Sequence, residues 1–249
     1  MIALVRAELL KIRTTRSWWA YLIAIVLLVG IAVAGDTGSN ADARGELDFQ
    51  VGLIEAAGFV SALLALILGI TIVTTEFRHG TVTPTFLASP KRERVLTSKA
   101  IAGVLTALAF GVLALLVVLA VATPWLAIVD ADIHAGDAEI GERALQALGS
   151  TVLWVLIGLA IGSVVHSQVA ALVGTLVWIF LGETLLWGLF SLIDIDGAIA
   201  YLPFRALDGA DGTGGEDVLD YWPAVAVSLG WIALVGAAGV WRTRRRDIT

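Results

Sequence analysis

The stretch from residue 51 to residue 75 reads VGLIEAAGFVSALLALILGITIVTT and contains a single charged residue, Glu55. An α-helix of this length rises about 37 Å at 1.5 Å per residue, which exceeds the roughly 30 Å of a bilayer's hydrocarbon core. Between Ser61 and Val73 the apolar side chains follow one another without the period-two alternation of a membrane barrel strand. The stretch therefore predicts a transmembrane helix.

Five further segments have comparable length and apolar character, so the chain is predicted to be an all-α integral membrane protein with six transmembrane helices. Hydrophobic residues make up 58% of the 249 and charged residues 15%, whereas soluble proteins carry roughly 25% charged residues. Because the chain has no cysteine and only three histidines, no metal site is predicted. Within a single transmembrane domain of residues 1–249, the predicted spans are about residues 18–35, 51–75, 100–122, 144–165, 169–193 and 221–241.

The basic residues predict the orientation of these spans. Thirteen of the sixteen fall on one side of a six-span bundle, in the N-terminal arm, the second connection and the C-terminal tail. By the positive-inside rule, these segments and both termini are predicted to be cytoplasmic. The opposite side is rich in acids. There, residues 194–220 are predicted to form an external acidic loop, with a flexible glycine-rich stretch from Asp208 to Glu216.

The N-terminal arm, residues 1–17, carries an apolar stripe of Ile2, Val5, Leu9 and Ile12, and its basic residues lie largely off this stripe. The pattern predicts an interfacial helix on the cytoplasmic leaflet. An ordinary basic flank that only sets the orientation is the alternative.

A second alternative concerns the first span. Residues 32–34 read AVA and are similar to a signal-peptidase site. The apolar run before them is about 18 residues long, which is more than a signal sequence usually has. We therefore expect an uncleaved first span.

The second connection, from Glu76 to Lys99, reads EFRHGTVTPTFLASPKRERVLTSK. Antiparallel helices need only about 2–8 residues to connect them, and this longer segment keeps apolar side chains among its charges. Pro84 and Pro90 restrict where helix can form. We expect a short rigid element presented to a partner protein. A loop anchored in lipid, with residues 91–94 on anionic headgroups, is the alternative.

These segments resemble the permease subunits of type-2 ABC transporters, the small six-span exporters of bacteria. The resemblance rests mainly on residues 4–19, which end in TTRSWW, and on residues 74–99, which contain TEFRHGT and SPKR. It implies that the N-terminal arm is the elbow helix and that the second connection contains the coupling helix. That helix would dock into a separate ATP-binding subunit. Two permeases, either two copies or this chain with a homologous permease, and two ATPase subunits would form the working unit in a bacterial cytoplasmic membrane.

The resemblance also implies which residues couple the permease to the ATPase subunit. They lie in the second connection and in the very short fourth connection. They are Glu76, Phe77, Arg78, Gly80, Thr81, His166 and Ser167. Among them, Glu76 and Arg78 offer opposite charges that can fix the register of a protein contact.

The sequence contains no Gly-x-x-x-x-Gly-Lys-Ser/Thr loop, so ATP is not expected to bind this chain in the P-loop manner. The chain is predicted not to be an enzyme and to carry no cofactor, with ATP and Mg bound by the partner subunit. Lipids are expected partners, and nucleic acid is not. Hydrolase motifs are missing from the spans as well. A non-transporting membrane scaffold or immunity protein of the same topology is the alternative function.

Glu183 is the charged residue deepest within a predicted span. A carboxylate at the bilayer centre costs about 2.5–3.5 kcal/mol, so Glu183 is predicted to face a central pathway or an external vestibule. A protonated Glu183 hydrogen-bonded between helices is the alternative. The helix is also a candidate for a break at Glu183, because Gly182 and Gly188 flank this residue and the resemblance implies a fifth span that bends into re-entrant external helices. In the fourth span, Gly158 and Gly162 have the spacing that permits close helix approach, although the spacing does not identify the partner helix.

Overall fold

The computed structural model describes residues 1–40, 42–78, 80, 92–193, 195–213, 215 and 218–245. Within these ranges every regular element is helical and no strand occurs, which confirms the predicted all-α class. The elements in chain order are α1 (Ile2–Thr14), α2 (Ser17–Ser39), α3 (Leu47–Arg78), α4 (Arg92–Ile128), α5 (Ala138–Val164), α6 (Gln168–Val177), a π-helical turn (Trp178–Gly182), α7 (Glu183–Leu192), a 3₁₀ helix (Asp196–Tyr201), α8 (Pro203–Asp211) and α9 (Tyr221–Arg245).

Six helical segments of the described chain are long and apolar enough to cross a membrane, as predicted. Five are the single helices α2, α3, α4, α5 and α9, and the fifth in chain order is the continuous run from α6 through the π turn to α7. Several helices continue beyond their predicted spans: α3 has 32 residues. This extension follows from helix geometry, because backbone hydrogen bonding continues past the apolar run into the region of headgroups and water.

The helices α3 and α5 form the centre of the bundle. In the most apolar part of each span, 61% of the residues of α3 and 67% of those of α5 are buried within the protein. The corresponding share is 17% in α2, in the α6–α7 run and in α9. Glycines allow the two helices to touch: a Cβ at Gly69 or Gly158 would collide with a backbone oxygen of the other helix. A Cβ at Gly162 would lie 3.0 Å from the carbonyl oxygen of Ile70. The spacing of Gly158 and Gly162 correctly predicted close helix approach, and the structure identifies α3 as the partner.

Because the spans alternate in direction, the bundle has two ends, which differ in what they carry. One end carries α1, the C-terminal end of α3, the N-terminal end of α4 and the connection between α5 and α6. We call it the tetrad end, after four charged side chains described below. The opposite end carries α8 and is called the α8 end.

The connection between α7 and α9 contains the helix α8, and its sequence explains where that helix begins and ends. Pro203 lies in the first turn, where its missing N–H has no helical partner to lose. Gly212 follows the last residue with φ +76°, the left-handed conformation that commonly ends a helix and that glycine adopts without strain.

One face of α8 is buried against the neighbouring helices α5 and α9. Phe204 and Leu207 lie on this face, 4% and 1% exposed. The prediction of a flexible loop beginning at Asp208 is therefore wrong for residues 208–211, which form the last turn of α8. The acidic and glycine residues of this turn obscured an apolar spacing that starts at Phe204.

Candidate coupling site

Four charged side chains from three helices meet at the tetrad end. The lysine Nζ of Lys11 lies 2.7 Å from Glu8 Oε1 and 2.7 Å from Glu76 Oε1. The Nζ of Lys99 lies 2.9 Å from Glu8 Oε2 and 2.7 Å from Glu76 Oε1. Each lysine thus bridges both carboxylates. We call these four residues the charge tetrad, and they join α1 to the ends of α3 and α4.

Burial makes the pairing within the tetrad energetically important. Lys99 is 3% exposed, Glu8 5% and Glu76 9%, and buried charges are stabilised only when they are paired and hydrogen-bonded. Two acids and two lysines give the set no net charge. Burial lowers the pKa of Lys11, but hydrogen bonds and attraction from Glu76 and Glu8 outweigh this effect, so the pKa is raised. The tetrad is therefore stable as a complete set.

Of the four tetrad residues, only Glu76 was predicted from the sequence to belong to the site. The one local signal is that Glu8 lies between Val5 and Leu9 of the apolar stripe, one helical turn before Lys11. The remaining partners are far away in the chain: Lys11 and Glu76 are 65 positions apart, and Glu8 and Lys99 are 91 apart. Spacing along the sequence gives no indication of such contacts.

The structure brings together the second and fourth connections, in which the coupling residues were predicted. The rings of Phe77 and His166 are 4.1 Å apart between centroids. Beside them, the Nη1 of Arg78 donates a hydrogen bond to Gln168 Oε1 at 3.3 Å. At the start of α6, the Ser167 hydroxyl accepts a hydrogen bond from the Ala170 N–H at 3.4 Å and so caps the helix.

The exposed part of this cluster consists of Arg78, Gly80 and Ser167, while Phe77 and His166 are half-buried between them. Gly80 has φ +67°, and its N–H donates to the Phe77 carbonyl at 3.4 Å, so the chain turns immediately after α3. Thr81, which was also predicted to take part, lies outside the described residues. We call the surface formed by the three exposed residues the coupling surface.

Glu183 lies at the α8 end and opens α7, with only 5% of its surface exposed. Its Oε1 accepts a hydrogen bond from the backbone N–H of Phe204 at 2.8 Å, and its Oε2 accepts one from Arg205 at 3.0 Å. These N–H groups belong to the first turn of α8 and have no partner within the helix. The carboxylate therefore caps α8 and lies at the positive end of its dipole.

The fifth span does not break beside Gly182, as the sequence had suggested it could. It continues through the π-helical turn Trp178–Gly182 into α7. A pocket of about 330 Å³ lies beside Glu183, and Thr184, Trp187 and Asp208 are among the residues that line it.

The far end of α8 is attached to the central helix α5 by Asp211. The Asp211 carboxylate, 4% exposed, accepts hydrogen bonds from the Ser150 hydroxyl and from the Trp154 indole N–H, the latter at 2.8 Å. Burial raises the pKa of Asp211 well above its usual value, even though the bond from Trp154 lowers it. Burial also raises the pKa of Asp208, to about 6, against the attraction of Arg205. Within the described residues, no group of histidine and acidic side chains is placed to hold a metal ion.

The six apolar helices define a multi-pass membrane protein. A comparison with protein families matches residues 4–182 to the family described as ABC-2 family transporter protein. The match covers well over half of the chain, and the chain belongs to this family. A search of curated proteins found no match. The family assignment confirms the resemblance seen in the sequence, and it makes the chain a transmembrane component of an ABC transporter.

The matched region contains all four residues of the charge tetrad and the described residues of the coupling surface. Membrane proteins of this family generally work with an ATP-binding subunit.

Proposed function

We propose that this protein is the permease subunit of an ABC exporter in a bacterial cytoplasmic membrane, driven by a separate ATP-binding subunit. The tetrad end faces the cytoplasm, in agreement with the thirteen basic residues on that side of the chain. Two permease chains and two ATPase subunits form the working unit, with ATP and Mg²⁺ bound by the ATPase subunits. The observation that carries the proposal is the joining of both predicted coupling connections at one end of a family-matched bundle.

The ATPase subunit docks on the coupling surface, and the charge tetrad holds the structure behind it. Arg78 and Ser167 are exposed and offer polar groups to a partner. Glu76, whose carboxylate faces the lysines of the tetrad, acts as a positioning residue for Phe77 and Arg78 next to it. A push on this surface therefore moves α3 together with α1 and α4.

The central helices transmit the movement towards the α8 end. An α-helix of 32 residues, such as α3, is about 48 Å long at 1.5 Å per residue. Because α3 packs against α5 through glycines, backbone against backbone, the two helices move as one body. Glu183 and the pocket beside it lie at the far end of this path, and we assign them to the external vestibule through which the exported compound leaves.

Purification of the tagged protein from its native membranes tests the proposal. We expect a P-loop ATPase to co-purify in equal amount and the complex to hydrolyse ATP. The variant Arg78→Glu reverses an exposed charge on the coupling surface without touching the tetrad, and we expect it to lose the ATPase. The matched control is Arg6→Glu, an exposed charge on α1, which should retain it.

Two results would contradict the proposal. If Arg78→Glu retains the ATPase as well as the control does, the subunit docks elsewhere. If the chain alone moves solutes in vesicles that contain no ATPase, it does not depend on a partner for energy. A scaffold or immunity protein would bind no ATPase at this surface, and the family match does not favour that function.

A further inference from the structure

The helix α8 is attached at its two ends to different parts of the bundle. Its N-terminus is held by Glu183 of the fifth span through two hydrogen bonds. Its last residue, Asp211, is bonded to Ser150 and Trp154 of the central helix α5. The helix is thus a strap between the fifth span and the centre of the bundle.

The two attachments differ in how firmly their surroundings hold them. Ser150 is fully buried and Trp154 is 1% exposed in α5, the most buried span of the described chain. By contrast, the fifth span is 17% buried, and the pocket of about 330 Å³ borders the Glu183 attachment. A helix with few contacts to the rest of its own chain separates from it at lower cost than one that is surrounded by that chain. The attachment at Glu183 is therefore the one that we expect to separate first.

The π-helical turn next to Glu183 is a second reason to expect movement there. In such turns the backbone hydrogen bonds join residues five apart, against four apart in an α-helix, and the turns occur frequently at functional sites. In this protein the turn ends at Gly182, directly before Glu183. A change from π to α geometry in this turn would rotate Glu183 relative to α6 and carry its carboxylate away from the N-terminus of α8.

We propose that Glu183 is a positioning residue that latches α8 over the α8 end of the bundle, and that the latch opens during the transport cycle while α8 pivots on Asp211. The proposal deepens the function proposed above and rests on it for the transport cycle. The existence of the latch itself is independent of any partner subunit. The closed latch is the state seen in this structure, with both first-turn N–H groups of α8 bonded to Glu183.

The chain contains no cysteine, so a single introduced thiol reports the position of α8 directly. Ala206 is fully buried in the docked α8, and the variant Ala206→Cys is reacted with a bulky maleimide in nanodiscs. Adding Glu183→Ala should raise the labelling rate at least tenfold, because α8 loses its N-terminal cap. Glu183→Gln, which retains an acceptor oxygen without the charge, should raise it two- to fivefold.

The matched control is Thr184→Ala, next to the latch residue. The Thr184 hydroxyl bonds back to the Phe180 carbonyl of its own helix, so its loss should leave the labelling rate unchanged. A thiol at the exposed Ala135 should label equally in all variants and corrects for differences in thiol reactivity. A thiol at Ala57, which is fully buried in α3, should remain unlabelled in all variants and shows that the bundle stays folded. If neither Glu183 variant labels faster than the Thr184→Ala control, the latch does not exist.

The second measurement uses the Ala206→Cys protein in complex with its ATP-binding subunit. Mg-ATP should increase the labelling rate at least threefold during turnover, and an unchanged rate would overturn the opening step. The two proposals fail differently. If no ATPase co-purifies, the proposed function fails while the Glu183 result on the chain alone stands. If the complex hydrolyses ATP and Glu183→Ala has no effect on labelling, the latch fails alone.

Discussion

The two ends of this bundle hold buried acids in opposite ways. At the tetrad end, Glu8 and Glu76 are neutralised by two lysines from α1 and α4. At the α8 end, Glu183 and Asp211 are bonded to backbone N–H groups, a hydroxyl and an indole, all of them uncharged donors. Full ion pairing suits a joint that must not open, since removing one member leaves a buried charge unpaired. A carboxyl group that is bonded only to uncharged donors can take up a proton, or move away from its donors, at lower cost than one that is paired with a lysine. This arrangement suits a contact that opens and closes.

The largest expected effect comes from breaking the tetrad. Glu76→Gln leaves Lys99, which is 3% exposed, with Glu8 as its remaining acid. Loss of one partner of a buried ion pair costs about 3–5 kcal/mol. We expect a corresponding fall in stability in a denaturation experiment in detergent. The double variant Glu76→Gln with Lys99→Met removes one charge of each sign and should recover more than half of the loss. If the single variant is as stable as the exposed control Arg6→Ala, the tetrad does not join the three helices.

The next largest loss of stability is expected from a substitution of Asp211. Asp211→Ala removes the acceptor of two buried donors, Ser150 and Trp154. The Ser150 hydroxyl can rotate to a backbone carbonyl of its own helix, so the main cost is the unsatisfied indole N–H of Trp154, about 1–3 kcal/mol. The variant Asp211→Asn keeps one acceptor oxygen and removes a carboxyl whose pKa burial raises, so it should cost about 1 kcal/mol or less. The same denaturation experiment measures both. Equal losses for Ala and Asn would contradict the idea that hydrogen bonding, and not charge, holds this end.

A smaller effect should follow from pH at the α8 end. The pKa of Asp208 is raised from 3.8 to about 6 in the folded protein, so the docked state prefers the protonated carboxyl. The contribution of Asp208 to the docking of α8 is then largest below about pH 4, falls as pH rises to about 6, and is constant above that pH. The groups that act on Asp208 are Arg205, 3.9 Å away, and Glu183. Because the Asp208 side chain is 26% exposed, solvent screening weakens its interactions. We therefore expect the free energy of α8 docking to change by about 1–2 kcal/mol between pH 4 and pH 6.

The Ala206→Cys labelling rate, divided by that of the exposed Ala135→Cys, measures this pH dependence and corrects for the reactivity of the thiol. The ratio should increase between pH 4 and pH 6. In Asp208→Asn the increase should be smaller, since the titrating group is gone. An increase of the same size in Asp208→Asn would assign the titration to another carboxyl.

The smallest effect is expected for Arg143, which lies 3.3 Å from Glu55 with side chains 30% and 23% exposed. Ion pairs with this much solvent contact contribute about 0–1 kcal/mol. Arg143→Gln should therefore lower stability by less than 1 kcal/mol and leave the Ala206→Cys labelling rate within twofold of its starting value. A loss as large as that of Glu76→Gln would show that the α8 end also depends on ion pairs.

Much of the fold could be predicted from the sequence because transfer into lipid is a local property. Each apolar run of about 20 residues predicts a helix by itself, since its backbone groups must bond within the segment. The glycine spacing at Gly158 and Gly162 likewise predicted a close contact. The candidate site was predicted less completely. Phe77, Arg78, His166 and Ser167 were identified through the resemblance, and the structure brings them to the same end of the bundle.

The membrane-spanning class and the number of spans could be predicted from the sequence alone, and the segments proposed for coupling were predicted through the resemblance. The packing of the helices was needed to find that Lys99 contacts Glu8 across 91 positions, that Glu183 caps α8, and that Asp208 belongs to a helix. These two groups of features differ because the interactions behind them act over different distances along the chain. Burial of an apolar run depends on neighbouring residues alone, whereas the partner of a buried charge is fixed by which helices pack together.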